Sequence, residues 1–318
     1  MNAIATTRES ADSHAAADPA AALDAILSLA REGAVHPALD RLNRFLAGAR
    51  RAGSESWLRL VGTARAHPLR EFVHLDPFTF RCFSKPRGYP GDAGALDYVL
   101  RRRELAVRAA DPLAEIHHYT THGALARALL WRRDLVASAA DEIAGRASEP
   151  IRFFAAACGH LRECDRMRSL KEGRVAKIVA FDMDAENLEG VRRDYANEPI
   201  AAHQGSVRQL VEGRHLFADM HLVHGGALLE GLTQAQAAEL ARALFALLRP
   251  GGTLILANLL EGLPDAGYVE AYMDWRITYR TPQSMEALAS DIDSGAIDAI
   301  TYVQDSDATI GAIAVTRR

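Results

Sequence analysis

Apolar residues recur at three- and four-residue spacing through the first third of the chain. Ala22, Leu23, Ile26, Leu27 and Leu29 predict one amphipathic helix, residues 36–50 a second and residues 56–66 a third. The pattern breaks at Pro68 and again at Lys85-Pro86-Arg87-Gly88-Tyr89-Pro90-Gly91-Asp92, a run that neither a helix nor a central strand accommodates. Asp92 is placed to cap the helix that follows. A long helix over residues 123–145 carries Leu125, Leu129, Leu135 and Val136, and Pro150 ends the helical part.

Beyond Pro150 the period shortens. Residues 151–156, 174–181, 200–203, 220–224 and 253–257 are short apolar runs separated by helical stretches, among them residues 233–248. Residues 299–303 and 309–315 close the chain as two strands with no helix between them. Strands alternating with helices imply parallel crossovers, and the last pair implies an antiparallel edge. The expected fold is therefore α/β: a Rossmann-like, doubly wound, mostly parallel seven-stranded sheet with an N-terminal helical cap. Residues 1–20 read as a disordered tail, 21–149 as the cap and 150–318 as the Rossmann-like domain.

Composition narrows the function. The 318 residues are 49% hydrophobic and 25% charged with a formal net charge of -4, a balance that speaks against a nucleic-acid partner. The arginine runs at Arg101-Arg102-Arg103 and Arg132-Arg133 read as solvated helix faces. No apolar stretch approaches the roughly 18 residues of a membrane span, and the first twenty residues lack a secretory signal's apolar run. Cys82, Cys158 and Cys164 form no C-x-x-C pair, which suits a reducing, cytoplasmic setting.

In doubly wound folds the ligand lies at the carboxyl ends of the strands. Ala157-Cys158-Gly159 is the first strand-to-helix turn, small enough for a ligand to approach, with the N–H groups of a following helix beyond it. Asp182 ends the second strand about 20 positions later, the spacing of an acidic residue that accepts two hydrogen bonds from a ribose diol. Its bland alternative is a helix cap, a role Asp184 fills better. A single glycine turn without the full G-x-G-x-x-G argues against NAD.

The ordered series FFAAACGHLRE, KIVAFDMD, AAHQGSV, HLVHGGALLEGL, LRPGGTLILANL and YMDWRITYRT resembles the motifs of class I S-adenosylmethionine-dependent methyltransferases. Together with KPRGYPGD it resembles the bacterial methyltransferase-like group that includes the 3-hydroxypalmitate methyl ester biosynthesis proteins and azetidine-2-carboxylate synthases. The resemblance implies S-adenosylmethionine as cofactor, with Ala157, Cys158 and Gly159 along its methionine part and Asp182 on the ribose. Met183 would pack on the adenine, Ser206 lie at its edge, and Gly225 line the site. Ala157 stands where the family usually carries glycine and Ser206 where many members carry aspartate.

His224 ends the fourth strand facing the methyl donor, either as general base or as an anchor for neighbouring backbone. The upstream loop reads as a lid in which Arg87 pairs with the methionine carboxylate and Tyr89 lays its ring against the sulfonium, a contact of ~0.5–2 kcal/mol; a plain surface turn is the alternative. His118 and His122 have helical i, i+4 spacing but no third ligand, so no metal is expected, and Tyr119 and His122 read as pocket lining. Trp275 and Tyr279 read as an amphipathic face packing on the sheet, Arg280 as a structural residue or a carboxylate clamp. The expected activity is methyl transfer to an oxygen or nitrogen of a small bacterial metabolite. The alternatives are intramolecular cyclisation of S-adenosylmethionine to azetidine-2-carboxylate, with no second substrate, and an inactive module of the same fold.

Overall fold

A computed structural model describes residues 18–100, 105 and 111–318. The expected tail lies largely outside them, and the chain is already helical at Pro19, with the Asp18 carboxylate accepting from the Ala20 N–H at 3.1 Å. The Arg101-Arg102-Arg103 run also lies outside the described residues.

Among the described residues eight helices precede the sheet: α1 (Pro19–Arg31), α2 (Val35–Arg51), α3 (Ser54–Ala66), α4 (Leu69–Val73), α5 (Pro77–Ser84), α6 (Ala93–Leu100), α7 (Pro112–His122) and α8 (Ala124–Arg146). Buried Asp76 organises the middle of this region. Its carboxylate caps α5 through the Phe78 and Thr79 N–H groups and accepts from Thr120 Oγ1 at 2.9 Å, while His117 Nδ1 lies 2.7 Å away.

The sheet follows as β1 (Ile151–Ala156), α9 (Arg168–Lys171), β2 (Val175–Asp182), α10 (Ala185–Asp194), β3 (Ile200–Gln204), α11 (Val207–Val211), β4 (Met220–Gly225), α12 (Gln234–Phe245), β5 (Leu248–Leu259), α13 (Ala266–Tyr272), α14 (Pro282–Glu286), β6 (Ile297–Gln304) and β7 (Ile310–Arg317). Its order is β3-β2-β1-β4-β5-β7-β6, parallel except for β7, which runs antiparallel to both neighbours. This is the expected doubly wound, mostly parallel sheet. Strand alternation feeds two separate cores: Phe153, Ala155, Ile178, Ala180 and Leu222 pack with α8 and α10 on one face, Phe154, Ala156, Val179, Phe181 and Val223 with α12 on the other.

Two features depart from expectation. No full helix follows β1; a 3-10 turn at Arg162–Asp165 and the single turn α9 stand there instead, entered through Leu161 in the left-handed region (φ 55°). The cap is not confined to residues before 149 either. The segment between β5 and β6 folds back onto it, so α13, Met273 and Trp275 share a hydrophobic cluster with α1–α7 and with the adjoining ends of β5 and β7. Glu270 of α13 fixes the joint by accepting from Trp57 Nε1 at 2.7 Å and Arg50 Nε at 2.9 Å. Trp275 and Tyr279 therefore pack towards the cap, Trp275 against Gly91 and Tyr279 beneath the Arg50 guanidinium at 5.0 Å. Helix α8 belongs to both regions, its first turns in the cap cluster and its last turns on the sheet.

Candidate functional site

The turns after β1 and β4 meet without intervening side chains. The Gly226 N–H donates to the Ala156 carbonyl at 3.1 Å, and a Cβ added at Gly226 would sit 2.7 Å from the Ala157 carbonyl oxygen, so only glycine lets the two turns touch. Ala157 and Gly159 both take left-handed backbone, φ 48° and 52°. Ala93, the first residue of α6, rests on Gly159: its Cβ lies 3.3 Å from where a Gly159 Cβ would be.

Asp182 is 5% exposed at the end of β2. One of its oxygens accepts from the Gly159 N–H at 2.8 Å; the other accepts from the Asp184 N–H at 2.8 Å and Asn187 Nδ2 at 3.3 Å. Burial raises this carboxyl above its ordinary value against the pull of those donors. The carboxylate thus locks the β1 turn to the β2 turn and leaves lone pairs over. Capping of α10 falls to Asp184, which accepts from the Glu186 N–H at 3.0 Å. Beside Asp182, Met183 is 69% exposed, an apolar platform at the strand end. Ser206 heads α11 in a capping box with Gln209.

The Lys85–Asp92 loop covers this corner, held by charged contacts at both ends. Arg87 does not stand free for a ligand carboxylate: its guanidinium forks onto Asp184, with Nε 2.7 Å from Oδ2, and also meets Glu186. The pairing holds the Asp184 carboxyl below its usual range. Tyr89 is half-buried, and burial, with the charges of Asp182, Asp184 and Asp92 nearby, raises its phenol above the ordinary value. Asp92 caps α6 at Ala95 (2.7 Å) and accepts from Arg81 Nε at 2.8 Å; its second oxygen is buried without a partner among the described residues. Lys85 pairs with Asp274, which also accepts from Arg65.

Between this corner and α8 lies a cavity of about 80 Å³, bordered by the β1 turn, α6, α8 and the end of β4. His224 reaches it from β4, with Nδ1 3.3 Å from the Ile255 carbonyl, and burial lowers its pKa to about 3, with the Arg132 charge acting in the same direction. The ring is neutral at physiological pH. Cys158 borders the same cavity with a thiol pushed well up by burial, hence protonated. Arg132, expected on a solvated face, is instead buried on the cavity wall and paired with Glu230 at 2.9 Å. Glu163, the last residue of the FFAAACGHLRE stretch but given no role there, completes the wall from the 3-10 turn after β1.

The structure thus gathers Tyr89, Ala157, Cys158, Gly159, Asp182, His224 and Gly225 around the ends of β1, β2 and β4, with Arg87, Met183 and Ser206 on the flanking turns. Tyr119 lies elsewhere. Its hydroxyl donates to Asp40 at 3.0 Å and accepts from Asn43 at 2.9 Å, beside a cavity of about 20 Å³ between the cap helices and α13. His118 and His122 stack on each other at 4.1 Å, and no cluster of three metal-ligating side chains occurs among the described residues. Arg280 spends its guanidinium on the carbonyls of Leu229 and Leu232 and on Asn258. It therefore acts as a brace between the β4 and β5 ends.

No protein-family profile and no curated protein matches the chain. Among solved structures, one described as a possible exported protein from Bordetella parapertussis is similar with a TM-score of 0.57 at 15% identity, over 71% of this chain and 79% of that one. The S-adenosylmethionine-dependent methyltransferase SibL, in its apo form, gives 0.48 at 15% identity over 76% and 69%. CalS10, an amino pentose methyltransferase from Micromonospora echinaspora, gives 0.42 at 16% identity over 58% and 91%. No helix among the described residues is long and apolar enough to cross a membrane. At these identities the likeness speaks to architecture alone: the chain has a Rossmann-like, doubly wound fold, a mostly parallel seven-stranded sheet.

Proposed function

We propose that the chain is an S-adenosylmethionine-dependent enzyme that transfers a methyl group to an oxygen or nitrogen of a small molecule. The observation that carries this reading is the corner at Asp182. A buried carboxylate with acceptor capacity left over, an exposed methionine beside it and turns of small residues at Ala157–Gly159 and Gly225–Gly226 match what a nucleoside bearing an amino-acid tail requires. Asp182 would accept from the ribose hydroxyls, Met183 would carry the base, and the turns after β1 and β4 would border the tail. Bound there, the cofactor supplies an electrophilic carbon on a sulfonium. The protein's part is to orient the reactants and exclude water with the Lys85–Asp92 loop closed. Unpaired Cys82, Cys158 and Cys164 support a cytoplasmic setting.

A second reading rests on the small size of the cavity at the reactive end. At about 80 Å³ it falls below the roughly 300–1,000 Å³ of small-molecule pockets and leaves little room for a separate acceptor. Ring closure of S-adenosylmethionine needs none: the amine nitrogen bonds to the carbon next to sulfur, that carbon–sulfur bond breaks, and methylthioadenosine leaves with azetidine-2-carboxylate and one proton.

Calorimetry with S-adenosylmethionine, followed by mass spectrometry of the incubated products, tests both. Saturable binding is expected, and its absence overturns the cofactor assignment. S-adenosylhomocysteine formed on adding metabolite extracts supports methyl transfer; methylthioadenosine and azetidine-2-carboxylate formed from S-adenosylmethionine alone, faster than spontaneous breakdown, establish cyclisation.

A further inference from the structure

The charges around the cavity are unevenly matched. Of the cations bordering it, Arg132 is paired with Glu230 at 2.9 Å, and Arg162 with Asp97 at 2.6 Å and Asp194 at 2.9 Å. His160 meets Asp97 at 3.0 Å and Arg133 meets Asp134 at 2.8 Å. Glu163, partly exposed on the cavity wall, has no side-chain partner among the described residues. A carboxylate that borders a cavity while the neighbouring cations are engaged elsewhere can receive a further positive group from within the cavity.

We propose that Glu163 is a ligand-binding residue and that the group it receives is a protonated primary amine, the α-ammonium of S-adenosylmethionine. The proposal rests on the cofactor reading above. The cavity opens on the β1 turn, where the amino-acid tail would run, and the 3-10 turn that replaces the usual helix after β1 is what brings Glu163 to its wall. An ammonium there supplies donors to both carboxylate oxygens. The proton can pass from the ammonium nitrogen to the carboxylate oxygen, leaving a neutral amine and a neutral acid. Ring closure requires that amine in neutral form.

Burial pushes the Glu163 carboxyl up to about 7, partly opposed by its own N–H and by Arg132. His160 also borders the cavity, against Asp97 at 3.0 Å, and comparing the wild type with Glu163→Gln keeps its imidazole constant. Arg132, Arg133 and Arg162 stay cationic, and His224 stays neutral. The Cys158 and Cys164 thiols stay protonated. Asp97 stays ionised because the His160 and Arg162 contacts outweigh its burial, and Asp165, the neighbouring acid on its own turn, lies on the exposed side. Glu163 is the wall carboxyl whose raised value falls at the edge of that range. Its ionised fraction rises more than tenfold between pH 5.5 and 7, so the affinity for an ammonium rises with it.

The test is calorimetry of the full chain at pH 5.5 and 7 with S-adenosylmethionine and with methylthioadenosine, which lacks the amino-acid tail, for the wild type and Glu163→Gln. The wild type should bind S-adenosylmethionine about tenfold tighter at pH 7 than at 5.5 while methylthioadenosine changes little. Glu163→Gln should bind S-adenosylmethionine about tenfold more weakly at pH 7, without the pH response, and leave methylthioadenosine unaffected. An unchanged profile in the variant, or equal weakening of both nucleosides, overturns the proposal. If the variant does not fold, the wild type decides alone, since equal pH responses for the two nucleosides are incompatible with an ammonium partner. A wild type that binds neither nucleoside removes the cofactor reading as well, whereas one that binds both with an indifferent variant removes only the role of Glu163.

Discussion

Ala157 holds a methyl group in left-handed backbone, where an L-residue other than glycine costs roughly 1–2 kcal/mol. Replacing it with glycine relieves that strain but loosens the unfolded chain, so Ala157→Gly should stabilise the fold by a net of about 1 kcal/mol, readable as a higher urea midpoint at unchanged slope. His224 makes a contribution of opposite sign. Its pKa falls to about 3 in the folded protein from an ordinary value near 6.5, so between those limits the unfolded chain binds the extra proton and stability falls as pH drops. From pH 6.5 to 5 that amounts to about 2 kcal/mol. Glu163, raised to about 7, acts in reverse from about pH 4.5 upward and masks the effect in the wild type. The stability difference between wild type and His224→Gln, followed from pH 7 to 5, isolates it; a difference independent of pH would mean the imidazole is not held neutral.

Among the elements, the Lys85–Asp92 loop is fastened to the β2 turn by the Arg87–Asp184 fork and to the cap by Lys85–Asp274. Arg87 is partly solvent-exposed, so the fork contributes little to global stability, and its effect falls on how long the loop stays shut. Arg87→Ala should leave the melting temperature nearly unchanged while S-adenosylmethionine dissociates faster, measured by stopped-flow displacement. The strands and long helices were legible in the sequence because their periodicity is strong: β1, β2, α8 and α12 lie within a few residues of the apolar patterns that predict them. The Arg87 partnership was not, since a loop arginine can meet a carboxylate of the ligand or of the protein, and only the fold brings Asp184 to it. Glu163 was invisible for a related reason. Nothing in a single sequence shows that the cations around an acid are already taken. Tyr119 carried the right residue type for a pocket but lies on a helix whose buried side turns into the cap.

At the scale of the whole molecule, the division at residue 149 follows the change in hydrophobic period but not the packing. Leu259, Leu263, Tyr272 and Ile310 from the sheet half are buried against α1–α7. A fragment of residues 150–318 would expose that apolar surface together with the face of β1 and β2 that α8 covers, so it should aggregate or remain unfolded, whereas the full chain should melt in one transition by circular dichroism. A soluble, cooperatively folded fragment would contradict this arrangement.

Helix α8 enters one hydrophobic cluster at Leu125 and leaves through another at Ala144, with the Arg132–Glu230 pair between them. A segment anchored at both ends has no local route to solvent, because fraying either end still leaves the other packed. In deuterated water its central amides, around Leu129 to Val136, should therefore open only when the entire chain unfolds, and their exchange rates should report the global free energy while the Lys85–Asp92 loop exchanges through far cheaper local openings.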